Sequence, residues 1–348
     1  MAELPVNTEP QTVLLTGAAG FIGHHLAKAL LAGGYRVVGY DSIDPYYDTA
    51  LKEYRVAQLA QTPGFTFVRA NLTDYNALTE TIAAHAPDIL INLAAQAGVR
   101  YSIDNPRAYL ESNLIGFFNV LEAARHSREL SGKAISHLLY ASSSSVYGNQ
   151  QKTPFSTTDN VDHPISLYAA TKKSNELMAY TYSHLYGIPT TGLRFFTVYG
   201  PAGRPDMAYY SFTKKILAGE PIAVFNNGDL RRDFTYVDDI VTGMLNMLKK
   251  PPQAQDGQAP AKVYNIGNNQ PVQLMHFIHA LEAALSKAYG RELTATMEFK
   301  PMQAGDVYQT YADVDELIRD FGFHPNTSIE DGLYEFAKWY RDYYGDNG

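Results

Sequence analysis

The stretch LLTGAAGFIGHHLA, residues 14–27, joins an apolar run, three glycines and the start of a helical pattern. The apolar residues ahead of Gly17 predict a buried strand, and the pattern after Gly20 predicts a helix. Gly17 allows a tight turn, Gly20 lets a pyrophosphate approach the backbone, and Gly23 lets the helix lie close to the strand. Because the N–H groups at the start of a helix attract anions, we predict a dinucleotide-binding loop here.

An acidic residue, Asp41, closes the next predicted strand, RVVGYD (36–41). A carboxylate at this position accepts a hydrogen bond from the 2′-hydroxyl of a ribose and repels a 2′-phosphate. The nearby Ser42 and Asp44 offer no basic partner for such a phosphate. The predicted cofactor is therefore NAD, in preference to NADP.

Further short apolar runs alternate with helical patterns through the first half of the chain. They predict strands at 12–17, 36–41, 66–72, 88–95, 135–145 and 190–196. Strands separated by helices imply right-handed crossovers and a parallel sheet. The predicted fold is α/β, a Rossmann-type doubly wound parallel sheet with a smaller C-terminal substrate-binding lobe. We place the first domain at 1–196, with a further segment near 235–262, and the lobe mainly at 197–348.

The bulk composition restricts the classes of function. The 348 residues are 45% hydrophobic and 18% charged, which is enough for a sizeable core. A net charge of −8 argues against a general affinity for nucleic acid or anionic membranes. The chain has no cysteine, which removes disulfides, thiolate zinc sites and cysteine nucleophiles. With no signal-peptide pattern and no long apolar run, we expect a cytoplasmic protein, and we predict no metal site.

The segment SLYAATKK, residues 166–173, sets Tyr168 and Lys172 four positions apart, on one face of a predicted helix. The same spacing occurs twice more, at Tyr210/Lys214 and Tyr334/Lys338. The Tyr168 pair differs from the others in its setting, because it follows a strand that ends at the carboxyl edge of the predicted sheet. Ligands of open α/β sheets bind at that edge, so we select Tyr168 and Lys172 as the functional pair.

The strand LLYASSSSVYG (138–148) brings hydroxyl groups to the same edge. Ser143 and Ser145 are expected to share one face, since strand side chains alternate. A free tyrosine has a pKa of about 10, and we expect the Lys172 ammonium to lower the pKa of Tyr168. Tyr168 then takes a hydroxyl proton while a hydride leaves for NAD, and a serine holds the same oxygen. These four residues are the predicted catalytic set.

With these motifs, the chain resembles the extended short-chain dehydrogenase/reductases, within them the nucleotide-sugar epimerases, and most closely the UDP-glucuronate 4-epimerases. The matching stretches cover nearly the whole chain and include TGAAGFIG, YYDTALKEYR, NLAAQAGVRYS, YASSSSVYG, HPISLYAATKKSNE, LRFFTVYGP, GRPDM, RRDFTYVDDI and PMQAGDV. The resemblance implies an NAD-dependent isomerase that interconverts UDP-glucuronate and UDP-galacturonate through a transient 4-keto intermediate. It also implies a homodimer that pairs the helical stretches at 108–126 and 170–187.

The resemblance assigns roles to individual residues as well. Arg204 in GRPDM and Thr197 in RFFTVYG would lie near the sugar carboxylate, for which the fork of an arginine is suited. Arg232 matches a position that binds the nucleotide phosphates, and Asp306 matches one that holds the nucleotide ribose. The implied cofactor contacts are Gly17, Gly20, Phe21, Ile22, Gly23, Asp41, Asn71, Leu72, Ala94, Tyr168 and Lys172.

Three alternatives remain open at this point. A 4-epimerase for UDP-glucose or a UDP-N-acetylhexosamine is the first, and Ala202, where relatives often carry tryptophan, loosens the sugar assignment. A UDP-glucuronate decarboxylase is the second, although relatives of that kind carry a glutamate where Ser145 stands. The third is a non-enzymatic nucleotide sensor with a Rossmann fold. Such sensors usually lose the tyrosine–lysine pair, which is intact here.

Overall fold

A sheet of seven parallel strands lies at the centre of the fold, in the order β10–β6–β5–β4–β1–β2–β3. The structure, a computed structural model, describes residues 10–255, 257–302 and 308–345. The strands are β1 (Thr12–Thr16), β2 (Arg36–Asp41), β3 (Phe65–Arg69), β4 (Ile89–Asn92), β5 (His137–Ser143), β6 (Thr190–Phe195), β7 (Thr197–Tyr199), β8 (Ile222–Phe225), β9 (Arg231–Tyr236), β10 (Ala261–Ile266), β11 (Pro271–Gln273) and β12 (Met297–Lys300). The strand order reverses between β1 and β4, which is where such sheets open a ligand crevice.

Helices cover both faces of this sheet. They are α1 (Phe21–Ala32), α2 (Thr49–Ala60), α3 (Tyr75–His85), α4 (Tyr101–Asp104), α5 (Pro106–Tyr109), α6 (Gly116–Arg125), α7 (Ser127–Ser131), α8 (Leu167–Tyr186), α9 (Ala208–Ala218), α10 (Val237–Leu248), α11 (Leu274–Tyr289), α12 (Asp315–Phe321) and α13 (Ile329–Tyr344). A π-helical turn lies at Leu110–Ile115, and 3₁₀ turns lie at Ser144–Tyr147 and Asn226–Gly228. None of the described helices is long and apolar enough to cross a membrane.

The alternation of side chains along β1 divides the core into two layers. Val13 and Leu15 join the buried cluster that contains Leu26 of α1, whereas Leu14 joins the cluster on the other face with Phe117 of α6. A central parallel strand is buried on both faces, which explains why its sequence is uniformly apolar. The predicted Rossmann-type α/β fold is therefore confirmed.

All six strands predicted from the sequence are present, but several end earlier than predicted. The prediction 88–95 corresponds to β4, which ends at Asn92, and 135–145 corresponds to β5, which ends at Ser143. Leu93, Ala94 and Ala95, which follow β4, line a cavity instead of continuing the strand, and β5 is followed by a 3₁₀ turn. The edge strand β10 is absent from the predictions, because AKVYNI is short and includes two polar residues.

Two smaller sheets lie in the C-terminal part of the chain, with the strand orders β11–β9–β7 and β12–β8. Helices α11 and α13 pack on each other, and the rings of Phe234 on β9 and Phe277 on α11 stack at 4.4 Å. By contrast, β10 pairs with β6 in the central sheet, and α10 packs against α1. The chain therefore returns to the central sheet after it has entered the smaller ones.

Candidate active site

A cavity opens at the carboxyl ends of the central strands, beside the reversal of strand order. The predicted site residues that line it are Gly17, Gly20, Phe21, Ile22, Gly23, Asp41, Asn71, Leu72, Ala94, Ser143, Tyr168, Lys172 and Arg204. The structure thus brings the predicted cofactor residues together with most of the predicted catalytic residues. In the described ranges, no group of three or more metal-binding side chains lies close enough to hold an ion.

The glycine loop between β1 and α1 has the geometry predicted for it. Gly17 has a φ of +74°, and a Cβ atom there would stand 2.7 Å from the Ala94 nitrogen. A Cβ atom at Gly23 would collide with the Gly17 carbonyl oxygen, so a glycine is needed for α1 to lie against the turn. The helix begins at Phe21 without a side-chain cap, which leaves its first N–H groups available to an anion.

The Asp41 carboxylate accepts hydrogen bonds from two backbone N–H groups, one of which belongs to this loop. Its Oδ2 atom accepts a hydrogen bond from Ala19 N at 3.0 Å, and Oδ1 accepts one from Ile43 N at 2.9 Å. Burial raises the pKa of Asp41, and the backbone N–H groups together with the Lys52 charge offset part of this rise. Lys52 is a basic cavity residue that the sequence prediction missed, and its Nζ donates to the Asp44 carbonyl at 2.7 Å.

We expect Asp41→Ala to narrow the preference for NAD over NADP. The substitution removes the charge that repels a 2′-phosphate and leaves Lys52 to attract it, so NADP should gain about tenfold in relative affinity. Calorimetric titration of both dinucleotides measures the ratio. Asp74→Asn is the matched control, because Asp74 is an exposed carboxylate that caps α3. Equal affinities for NAD and NADP in the unmodified protein would contradict the role assigned to Asp41.

Tyr168 and Lys172 lie in the first two turns of α8. Ser166 caps this helix by accepting a hydrogen bond from Ala169 N at 3.1 Å, which fixes where the tyrosine enters the cavity. Lys172 is almost fully buried, and its Nζ donates to the Ala141 carbonyl of β5 at 2.8 Å. The same Nζ lies 6.0 Å from the centre of the Tyr168 ring. The spacing of the pair thus places both side chains on the strand-facing side of the helix.

The two predicted serines have different positions. Ser143 ends β5 and lines the cavity together with Tyr168. Ser145 lies in the following 3₁₀ turn, so the expectation that both serines share one strand face is wrong. The serines contact each other instead, because Ser143 Oγ donates to Ser145 Oγ at 3.1 Å and accepts from Ser145 N at 3.1 Å. Ser143 is thus the serine of the pair that lines the cavity, and Ser145 contacts it from the following turn.

The pKa of Tyr168 differs in direction from the prediction. Burial raises the pKa of Tyr168, although the Ser143 hydroxyl and the charge of Arg204 offset part of this rise. Burial also lowers the pKa of Lys172 to about 8. The lowering of the Tyr168 pKa that we expected from Lys172 is therefore not seen: burial is the largest influence, and the Lys172 ammonium is directed at the Ala141 carbonyl.

Arg204 reaches the cavity from the loop that follows β7. Its Nε donates to Asp206 Oδ1 at 3.0 Å, and its Nη2 forms a second bond with Asp206 Oδ2. The Tyr46 hydroxyl donates to the same Oδ2 atom at 3.3 Å. Three-quarters of the Arg204 side chain is covered, since 25% of it remains exposed. The cavity therefore contains an arginine whose fork already holds one carboxylate.

Among the described residues, three predicted ones do not line the cavity, namely Ser145, Thr197 and Arg232. Thr197 opens β7, where it pairs with Phe234 of β9. Arg232 lies on β9 and donates through Nη1 to the carbonyls of Arg231 at 2.9 Å and Tyr308 at 3.2 Å. Asp306 lies outside the described residues. Conversely, Tyr46 and Lys52 line the cavity but were not predicted, although both fall within the matching stretch YYDTALKEYR.

The fold and the site define a nucleotide-dependent enzyme of the epimerase/dehydratase type, and comparison with known proteins agrees. The sequence model of the NAD dependent epimerase/dehydratase family matches residues 13–267, so the chain belongs to this family. The resemblance to nucleotide-sugar epimerases is thereby confirmed.

Individual relatives are similar in sequence over almost the full chain. The chain is 53% identical to Protein CapI of Staphylococcus aureus over 343 residues, which cover 95% of this chain and 99% of that protein. It is 47% identical to the probable UDP-glucuronate 4-epimerase of Rhizobium meliloti over 343 residues, covering 95% and 97%. The structure of UDP-glucuronic acid 4-epimerase from Bacillus cereus, in complex with UDP-glucuronic acid and NAD, aligns with a TM-score of 0.83 at 32% identity. That alignment covers 96% of this chain and 100% of the other.

Proposed function

We propose that the protein is an NAD-dependent UDP-sugar 4-epimerase that interconverts UDP-glucuronate and UDP-galacturonate. The observation that carries this proposal is the meeting of Tyr168, Lys172, Ser143 and Arg204 in the cavity that also contains the glycine loop. The first three residues form a proton-transfer group, and Arg204 offers a fork that suits a carboxylate. The relatives named as UDP-glucuronate 4-epimerases support the same substrate.

The residues that are present fit NAD. The uncapped start of α1 and the turn at Gly17 suit the pyrophosphate, and Asp41 suits a ribose hydroxyl. Phe21, Ile22, Asn71, Leu72 and Ala94 line the remaining part of the cavity, as the cofactor prediction requires. When bound, NAD accepts a hydride from C4 of the sugar and later returns it. These assignments are part of the proposal.

The protein supplies the proton transfer. Tyr168 accepts the C4 hydroxyl proton at its Oη atom, and Ser143 holds the same sugar oxygen through its own hydroxyl. The Lys172 ammonium places a positive charge beside the ring, and the charge of Arg204 opposes the effect of burial on the pKa of Tyr168. The 4-keto sugar then rotates in the cavity and presents the opposite face of its carbonyl. Tyr168 returns the proton to the oxygen once hydrogen has been delivered to that face. No second acid or base is required for this sequence of steps.

The same proposal assigns the two ligands to different parts of the chain. Residues 1–196, with the returning segment near 235–262, would hold NAD, and the lobe at 197–348 would hold the UDP-sugar. The packing of α10 on α1 and the pairing of β10 with β6 support this division. In the lobe we assign Thr197 to the sugar, Arg232 to the nucleotide phosphates and Asp306 to the nucleotide ribose. A cytoplasmic location, where NAD and nucleotide sugars meet, completes the assignment.

The product formed from UDP-glucuronate tests this proposal. The protein is incubated with UDP-glucuronate without added reductant, and the nucleotide sugars are separated by chromatography. We expect UDP-galacturonate with little UDP-pentose, because a carboxylate held by Arg204 would be kept from the orientation in which the 4-keto acid loses CO2. UDP-glucose serves as the neutral control. Equal turnover of UDP-glucose would favour the neutral-hexose 4-epimerase, and UDP-pentose as the main product would favour the decarboxylase.

We also propose a homodimer formed through one helical face. The π-helical turn, α6 and α8 pack together and leave large apolar side chains exposed on their outer side. These side chains are Leu110, Ile115, Phe118, Leu177, Tyr180, Leu185 and Tyr186. A contiguous exposed apolar face on packed helices is typical of a protein interface. The helical stretches are the ones that the resemblance assigns to the dimer.

Leu177→Glu is expected to convert this dimer into a monomer. The side chain is 58% exposed, so the charge does not disturb the core of the isolated chain, but it would be buried at the interface. Size-exclusion chromatography with light scattering measures the mass. Phe299→Glu is the matched control, since Phe299 is 54% exposed on β12, away from this face. A wild-type protein of monomeric mass at all concentrations would contradict the proposal.

A further inference from the structure

Arg55 on α2 is a fully buried arginine whose guanidinium makes five hydrogen bonds. Its Nη1 donates to the Ala19 carbonyl at 2.9 Å and to the Tyr47 hydroxyl at 2.6 Å. Its Nε and Nη2 donate to the Ala202 carbonyl at 3.1 and 2.7 Å, and Nη2 also donates to the Gly203 carbonyl at 2.9 Å. The acceptors in these five bonds are neutral oxygens.

These bonds connect two loops that are far apart in sequence. Ala19 belongs to the glycine loop, whereas Ala202 and Gly203 come directly before Arg204. Ala202 has a φ of +51°, a left-handed conformation that is uncommon for residues other than glycine. Its carbonyl receives two of the Arg55 bonds, which hold the turn in this conformation. The direction in which Arg204 enters the cavity is set by that turn.

A second group from the glycine-loop helix acts on the same turn. His25 of α1 contacts the Pro201 carbonyl through Nε2 at 2.8 Å. Hydrogen bonds from α1 and α2 therefore hold the residues that precede Arg204. A buried charge is costly, and the five bonds of Arg55 are made in the planar fork that lysine does not have.

We propose that Arg55 is a positioning residue for substrate specificity, which fixes the Ala202–Gly203 turn so that Arg204 faces the carboxylate of the sugar. Arg55 itself does not line the cavity, and it acts through Arg204. Its bond to Ala19 makes the placement of Arg204 depend on the glycine loop. The inference rests on the proposed function, because it concerns the recognition of a uronate.

Arg55→Lys tests this role. Calorimetry measures the affinity of the NAD-loaded protein for UDP, UDP-glucose and UDP-glucuronate. We expect the preference for UDP-glucuronate over UDP-glucose to fall by about tenfold, since an ammonium has only three donors and no planar fork for these four acceptors. The affinity for UDP should change by less than about twofold. Leu333→Ala, a core truncation in α13, is the control that lowers the melting temperature without reaching the cavity.

The outcomes separate positioning from general stability. Equal losses for all three ligands, or a loss of uronate preference in Leu333→Ala as well, would overturn the proposal. If Arg55→Lys does not fold, Ala202→Gly is the variant to measure. Glycine accepts the positive φ of this position but gives the turn more conformational freedom. We expect a smaller loss of uronate preference in this variant, and an unchanged preference would overturn the proposal. A wild-type protein without any preference for UDP-glucuronate would instead show that the uronate assignment has failed.

Discussion

Tyr168→Phe is expected to lower kcat with UDP-glucuronate by about a thousandfold, which is the usual scale for the loss of a general base. The variant keeps the ring and its packing against Tyr109, whose centre lies 6.0 Å away, and it loses only the oxygen that carries the proton. The glycine loop is untouched, so the variant should still retain NAD. Initial rates and the NAD content of the purified protein measure the two properties separately.

Tyr210→Phe is the matched control for this prediction. Tyr210 has the same spacing from Lys214, but it is buried, and its hydroxyl contacts the hydroxyl of Tyr344 on α13. We expect its kcat to stay within about twofold of the wild-type value, because the substitution removes no cavity group. A Tyr168→Phe variant with a near-wild-type rate would remove Tyr168 from the proposed proton transfer.

Arg204→Ala is expected to lower kcat/KM for UDP-glucuronate by about a hundredfold, the scale of two charge-assisted hydrogen bonds. The loss for UDP-glucose should be much smaller, because that sugar has no carboxylate. In the wild-type protein Asp206 holds two of the guanidinium nitrogens, so a substrate carboxylate must use the remaining N–H groups or replace Asp206. Arg107→Ala, at an exposed position on α5, is the control.

The fate of the ketone adds a second readout for Arg204. Oxidation of a uronate at C4 gives a β-keto acid, which loses CO2 when the breaking bond aligns with the carbonyl π system. In the proposed function, Arg204 and Thr197 hold the carboxylate and would keep it from that alignment, since fixed orientation changes barriers strongly. We therefore expect Arg204→Ala to raise the share of UDP-pentose, and Thr197→Val to raise it less. Unchanged rates and an unchanged product ratio in Arg204→Ala would contradict the carboxylate assignment.

The parts of the site that sequence could predict are the ones built from neighbouring residues. The glycine loop, Asp41 at the end of β2, and the pair of Tyr168 and Lys172 each follow from local spacing and strand order. Arg55 and Lys52 were not predicted, although they lie in a stretch that resembles relatives. Their roles depend on which loops pack against α2, and local spacing contains no information about that packing.

Two other differences between the predicted and the observed site have definite physical causes. The position of Ser145 depends on where β5 stops, and strand ends are set by tertiary contacts that a run of four serines does not reveal. The raised pKa of Tyr168 depends on its burial, whereas the sequence revealed only the proximity of a lysine. Arg232 remains a prediction for the nucleotide, since the cavity described here does not include it.

The fate of the C4 hydrogen tests the central claim most directly. The protein is incubated with UDP-glucuronate in D2O, and a second sample contains substrate with deuterium at C4 in ordinary water. We expect UDP-galacturonate without solvent deuterium at C4 or C5 in the first sample, because the same hydrogen leaves and returns. In the second sample the label should remain at C4, as read by NMR. Solvent deuterium at C4, loss of the C4 label, or a deuterated UDP-pentose as the main product would contradict a 4-epimerase.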